Sequence, residues 1–316
     1  MAKYKIEKTT NLELWDEFVD KSPQGSIYSK SQFIECIEVK CAYFLVKKGE
    51  EIVGGAYMIE DDNGRPLRNL PYVPYRNSIL FVDSTNVLEH KRISEQFKIS
   101  ELIIEYFVKL YGEYSIISSP NYSDIRPFSW FNYHEPEKGI FKVINHFTSV
   151  LNLTKREEYM MQIRYNRRRD IKMSSQVEVV ESNDINVMNE LHHKTFARQN
   201  LKRNSQEEYF LLQIGKTAIE KGFGKLLVAQ LEGNPVSAIL ILYDNNTAYY
   251  QFGASDPDYR DSGASTKLFF ESIMYAFEKL ELKLFDFVGV NSPKRGDFKL
   301  SFNGKLRSYF SLKLDN

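Results

Sequence analysis

The sequence predicts an α/β (α+β) fold of two similar domains in tandem, each a mixed sheet flanked by helices. Three observations carry this. A strand, a glycine-centred turn and a second strand occur in both halves of the chain. In both halves a helix at 3.6-residue spacing follows and leads into a short apolar strand. The 316 residues also suit two domains at roughly 150 residues each.

Taken in order, Leu45-Val46, the turn through Lys47-Lys48-Gly49-Glu50-Glu51, and Ile52 to Ala56 read as a hairpin. The loop Pro71-Tyr72-Val73-Pro74-Tyr75-Arg76-Asn77-Ser78 is aromatic and stiffened by proline. Glu101 to Leu110 places apolar residues on one helical face and runs into the strand Tyr114 to Ser118. A boundary near Val150 gives domains over 1–150 and 151–316. A polar segment from Thr154 to Asn204 reads as two helical pieces. The second hairpin has Leu227-Val228, the turn Glu232-Gly233-Asn234-Pro235, and Val236 to Leu242. A helix over about Ser265 to Lys279 then leads to the strand Leu284 to Val288. A helix between two strands implies a crossover, hence a mixed sheet with helices packed on it.

Composition narrows the function. Lys+Arg and Asp+Glu both number 42, so there is no general basic field for DNA. No apolar run is long enough to span a bilayer, and the N-terminus lacks a signal-peptide core; a cytoplasmic protein is expected. Cys36 and Cys41 lack metal or redox spacing. The five histidines offer no ligand pair, so no metal is expected. Gly215-Lys216-Thr217 resembles the end of a Walker A loop, but Phe210 stands where the upstream glycine belongs. No G-x-S-x-G elbow or Cys–His arrangement offers a covalent nucleophile.

The most informative stretch is Tyr249 to Gly304. Its centre, Arg260-Asp261-Ser262-Gly263-Ala264-Ser265, follows a strand and opens an apolar helix. First-turn amides without intrahelical partners, with the helix dipole, make such a place a phosphate cradle; Asp261 or Ser262 as a plain N-cap is the alternative. The first half has no such cradle. Asp286, between Phe285 and Phe287, reads as a general base raised by desolvation or as a structural carboxylate accepting amides of the next loop. Lys299 among aromatics could neutralise an oxyanion, or be a snorkelling surface lysine. Arg164, Arg167, Arg168 and Arg169 crowd one short helix, and Arg198, Lys202 and Arg203 form a second basic group. Each is a solvated face or a local anion site.

Arg260-x-x-Gly263-x-Ser265 resembles the Q/R-x-x-G-x-G/A pyrophosphate loop of GNAT acyltransferases. The larger pattern resembles the Fem-type branch, with two GNAT-like domains in tandem. Its marks are Gly253-Ala254-Ser255, Tyr259-Arg260, Phe285-Asp286-Phe287 with Gly289, Phe298-Lys299 and Phe302-x-Gly304, with Trp15-Asp16-x-Phe18 and Ser22-Pro23-x-Gly25 earlier. The Arg167 to Lys172 stretch resembles the family's R-R-N-I-R-K-type helix, though here it reads RRRDIK. The resemblance implies an N-acyltransferase that uses acyl-CoA, without metal, on a nucleotide-linked amino sugar. Fem-type transfer from aminoacyl-tRNA to a peptidoglycan precursor is the alternative, although the long coiled-coil arm of many Fem proteins is missing. On this reading Tyr259, Arg260, Gly263, Ala264 and Ser265 hold the CoA pyrophosphate. Asp286 is the base, Tyr250 and Lys299 orient groups or stabilise charge, and Tyr72, Tyr75, Arg76 and Arg198 meet the nucleotide sugar.

Overall fold

A computed structural model describes residues 4–84, 86–197 and 204–315. The chain divides into two compact units, residues 1–146 with 308–316, and residues 147–307.

The first unit runs β1 (Tyr4–Thr9), α1 (Leu12–Asp20), α2 (Ser31–Cys36), β2 (Lys40–Lys48), β3 (Glu51–Glu60), β4 (Ile79–Phe81), α3 (Glu89–Tyr111), β5 (Ser115–Ile117) and α4 (Arg126–Ser129), then enters β6 (Ile140–Asn152). Its sheet has the order β1-β2-β3-β4, antiparallel throughout. The β2–β3 hairpin turns at Gly49, whose φ of +65° suits glycine. Ile99, Ile103, Ile104 and Phe107 form the buried face of α3, and the helix stops at Gly112. It starts twelve residues before Glu101, over a polar first half that carries no apolar period. Trp15 Nε1 donates to the Ser29 carbonyl at 2.8 Å, and the Asp16 carboxylate accepts the Ser31 amide and hydroxyl at 2.8 and 2.6 Å. The Trp15-Asp16 pair therefore fastens α1 to α2. β5 pairs with the end of the last strand rather than with β4, so the α3 crossover closes no parallel pair here.

The second unit continues with α5 (Arg156–Gln162), α6 (Tyr165–Met173), β7 (Glu178–Ser182), α7 (Ile185–Ala197), α8 (Ser205–Glu220), β8 (Gly224–Leu231), β9 (Asn234–Tyr243), β10 (Thr247–Ser255), α9 (Ala264–Glu278), β11 (Leu284–Asp286) and α10 (Pro293–Leu300). The final strand, β12 (Lys305–Asp315), ends in the first unit, where Leu312 and Leu314 are buried in the core. A boundary at 150 does not anticipate that return.

In the second unit the strand order is β6-β11-β10-β9-β8-β7, and only β10–β11 is parallel. The sheet is mixed, as the crossover helix requires. The β8–β9 hairpin turns at Glu232-Gly233, both at positive φ. A register shift between Tyr250 and Phe252 marks a bulge in β10. The apolar face of α9, with Leu268, Phe269 and Ile273, packs with Phe285, Phe287 and Phe302 in one core. A capping box starts α8: Asn204 accepts the Glu207 amide at 2.7 Å and Glu207 accepts the Asn204 amide at 3.3 Å. Gly215-Lys216-Thr217 lies inside this helix, where a methyl on Gly215 would meet Ile185 Cδ1 at 2.3 Å. That glycine serves helix packing.

Candidate active site

β10 and β11 run side by side only through Thr247–Leu284, Ala248–Phe285 and Tyr249–Asp286. β10 then continues to Ser255, while the chain after Asp286 turns away at Val288 (φ +47°) and Gly289 (φ +71°). The sequence pattern carries the strand on to Val288. A β-branched residue in the left-handed region is strained and must be held there. Asp286 Oδ1 does so, accepting the Val288 amide at 2.8 Å and the Thr148 hydroxyl at 2.5 Å. Thr148 Oγ1 accepts the Gly289 amide at 3.2 Å. Lys299 Nζ donates to the carbonyls of Phe287, Val288 and Gly289 at 2.6, 2.8 and 3.1 Å.

These contacts define what two sequence candidates do. Asp286 is 3% exposed and accepts the Val288 amide of the next loop, as in the structural alternative. Lys299 gives its three ammonium hydrogens to carbonyls, so none is left for a developing oxyanion. Burial pushes its pKa down to about 7, against the pull of the Asp286 carboxylate. Its charge also lies 4.5 Å from the centre of the Tyr250 ring.

A cavity of about 250 Å³ is lined by β10 beyond its pairing with β11, by β9, and by residues of α7, α9 and α10. At one end the hydroxyls of Ser237, Ser255 and Ser265 share hydrogen bonds, Ser255 Oγ lying 2.7 Å from Ser265 Oγ and 3.0 Å from Ser237 Oγ. Thr195 Oγ1, from α7, accepts the Ser255 amide at 3.2 Å, a group no neighbouring strand takes. Asp256 beside it is buried and bonded to Lys194 at 2.6 Å, and that bond holds its carboxyl below the usual range. Arg260 lines the same end, exposed, with no ion-pair partner among the described residues. Tyr259 is 42% exposed next to it.

Gly263 (φ +75°) turns the chain into α9, whose Ser265 and Thr266 amides have no acceptor in their own helix. The N-cap is Gly263 rather than Asp261 or Ser262; Ser262 Oγ accepts only the Ala264 amide, at 3.2 Å, and leaves those two amides to the cradle. A methyl on Gly263 would lie 2.1 Å from Ser174 Oγ, at the end of α6. The glycine is thus required by the close packing of α6 as well as by the turn.

The other end of the cavity is aromatic. Tyr250, Phe269 and Phe298 line it, with Phe269 centred 5.3 Å from Tyr250 and 5.4 Å from Phe298. The Arg167 guanidinium lies 4.7 Å from the centre of the Phe298 ring, behind this wall. Arg164 forms a two-pronged pair with Asp297 at 3.0 and 2.9 Å, and Arg168 lies over the Tyr165 ring. The basic helix is therefore largely occupied with its own neighbours. Gly253, Ser237, Thr195 and Phe298 were not singled out as site residues by the sequence; only the bulged, glycine-bearing end of β10 hinted at them.

The first-unit loop departs from expectation. Tyr75 is 2% exposed, packed edge-on against Tyr28 and Tyr309 at 5.8 and 5.3 Å, and so is core rather than a substrate contact. Arg76 spends its terminal nitrogens on the Leu70 and Arg68 carbonyls at 3.2 and 2.7 Å. Tyr72 is half-buried at φ +65°. Arg198, Lys202 and Arg203 lie outside the described residues.

Residues 157–299, which include every residue lining the cavity, match the family of acetyltransferase (GNAT) domains. Among solved structures, FemX is similar over 97% of this chain and 96% of its own, at a TM-score of 0.70 and 13% identity. A conserved protein of unknown function from Bacteroides thetaiotaomicron VPI-5482 aligns over 100% of both chains, at 0.64 and 11%. A tandem GNAT protein from the clavulanic acid biosynthesis pathway covers 99% of this chain and 98% of its own, at 0.54 and 10%. No curated protein matches the sequence significantly. Residues 157–299 thus form a GNAT acetyltransferase domain, and the chain as a whole shares the fold of FemX and of the tandem GNAT protein. In this acyltransferase the described residues hold no cluster of His, Cys, Asp and Glu suited to a metal ion, and no helix long and apolar enough to cross a membrane.

Proposed function

We propose that this acyltransferase moves an acyl group from acyl-CoA to the amine of a nucleotide-linked amino sugar, as in the biosynthesis of surface polysaccharides. One observation carries the donor half: the cavity along β10 beyond its pairing with β11 has an end with Arg260 and free helix amides and an aromatic end. Arg260 and the amides of Ser265 and Thr266 suit a diphosphate, with the α9 dipole adding to their field. Tyr259, Gly263 and Ala264 shape the same turn. The aromatic end then receives the thioester. The neutral amine attacks the thioester carbon directly; the N–C bond forms, the C–S bond breaks, and the proton lost by nitrogen ends on the departing sulfur. Asp286 and Lys299 serve this chemistry by holding the loop and the Tyr250 ring.

The acceptor rests on the sequence resemblance, with Tyr72 and Arg198 as the contacts to test. A second reading, Fem-type transfer from aminoacyl-tRNA to a peptidoglycan precursor, is favoured by the likeness to FemX over nearly the full length of both chains. Incubating the protein with acetyl-CoA or hydroxyacyl-CoAs and a panel of amino-sugar nucleotides, while following thiol release, decides between them. Turnover is expected on at least one pair. Silence across the panel, with turnover of charged tRNA and a peptidoglycan precursor, would replace this reading by the second.

A further inference from the structure

Among the residues lining the aromatic end of the cavity, Tyr250 alone carries a polar side-chain atom. Its surroundings are built to hold that atom in one place. The ring packs on Phe269, and the Lys299 ammonium, itself fixed by three carbonyls, lies on its face. A methyl on Gly253 would sit 1.6 Å from the Tyr250 hydroxyl oxygen and 2.5 Å from Cζ. The hydroxyl therefore occupies volume that the Cβ of any other residue at 253 would need. Gly253 has an ordinary strand φ, so space and not backbone freedom explains it.

Buried tyrosine hydroxyls ordinarily find a partner. The Tyr250 hydroxyl, on a half-buried side chain lining the cavity, makes no hydrogen bond among the described residues. Burial pushes the phenol up to about 12, so it is a neutral donor at any working pH.

We infer that Tyr250, seated over Gly253, donates a hydrogen bond to the acyl carbonyl oxygen of the bound donor, making this pair the element that distinguishes an acylated from a free carrier. The inference rests on the acyl-CoA reading. With the diphosphate at the Arg260 end, the acyl carbonyl is the acceptor that the aromatic end has to satisfy, and a free thiol offers no comparable group.

Calorimetric titration with CoA and with acetonyl-CoA, a stable ketone analogue of acetyl-CoA, tests this. The wild-type protein should prefer the ketone. Tyr250→Phe should reduce that preference about three- to tenfold, the worth of one hydrogen bond, with CoA affinity unchanged. Gly253→Ala should do the same in the wild-type background and add nothing in a Tyr250→Leu background, where the hydroxyl it displaces is gone. Melting curves establish that each variant is folded. A Tyr250→Phe protein that keeps the preference, or weakens both ligands equally, overturns the inference. A wild-type protein that binds neither ligand overturns the acyl-CoA reading, and the inference with it.

Discussion

Gly263 separates two reasons for a glycine at the start of α9, close approach of a phosphate and close approach of α6. The perturbation is Gly263→Ala. At φ +75° a side chain in the left-handed region costs about 1–2 kcal/mol. The new methyl would lie 2.1 Å from Ser174 Oγ, which donates to the Asp170 carbonyl at 2.6 Å. Moving that hydroxyl away forfeits a hydrogen bond, about 0.5–1.5 kcal/mol, and forces a shift in packing worth about 1–3 kcal/mol. The expected loss is therefore roughly 3–6 kcal/mol, a fall of order 10 °C in the unfolding midpoint. Ser174→Ala changes the prediction. The nearest remaining atoms are the Asp170 carbonyl oxygen at 3.3 Å and Ser174 Cβ at 3.4 Å, so Gly263→Ala should then cost the backbone strain plus a shift of a few tenths of an ångström, well below its cost in the wild-type background. Thermal unfolding of the wild type, both single variants and the double variant measures the coupling. Equal cost in the two backgrounds refutes the packing account. A Gly263→Ala protein of unchanged stability that fails to bind CoA would show that the glycine serves the ligand alone.

Three further outcomes follow from the same geometry. Arg260→Ala should weaken CoA about ten- to a hundredfold while leaving pantetheine binding intact, the worth of one charge-assisted bond to phosphate, read by calorimetry. Tyr75→Ala should destabilise the protein by about 3–5 kcal/mol, as for other buried aromatics, with the KM of both substrates unchanged below the melting range; a selective rise in acceptor KM would return Tyr75 to the site. For Asp256 and Lys194 the signs run in opposite directions. The lowered Asp256 pKa contributes stability above the ordinary aspartate range that is lost as pH falls through the folded value; the raised Lys194 pKa contributes stability below the ordinary lysine range that is lost as pH rises through its folded value. Lys194→Met should flatten both edges of the melting-temperature profile, by no more than about 1 kcal/mol because Lys194 is largely exposed.

How far these features could be read in advance depended on the range of the interaction. The hairpins and α9 were legible because turn glycines and apolar period are local signals. The start of α3 was not, since residues 89–98 have only Ile93 and Phe97 as apolar side chains and their helicity comes from continuing a buried helix. The end of β11 was illegible for a different reason. Val288 is a good strand residue, and it is turned out of the sheet by Asp286, Thr148 and Lys299, which lie up to 140 positions away along the chain. Tyr75 misled because an aromatic, proline-rich loop looks like a ligand platform, whereas burial against Tyr28 and Tyr309 is decided by distant strands and helices. The cradle itself was visible, yet the partner that explains its glycine, Ser174, sits on another helix.

Asp286 and Lys299 are the residues a chemist would first choose as base and electrophile, and both are spent on one loop. Every amide from Phe287 to Val290 has an acceptor, and the carbonyls of Phe287 to Gly289 all point at one ammonium. That arrangement keeps a strained valine in place, and the strained valine is what takes the chain away from β10. That departure leaves β10 unpaired on this side from Tyr250 on, where Tyr250 and Gly253 to Ser255 line the cavity. On the proposed reading the charged pair acts at one remove, by holding the loop and the Tyr250 ring beside the space where donor and amine would meet. Positioning of this kind can lower a barrier substantially without proton transfer by the protein. It follows that neutralising Asp286 or Lys299 should damage donor binding and the turnover of bound donor together, whereas loss of a true general base would lower kcat alone.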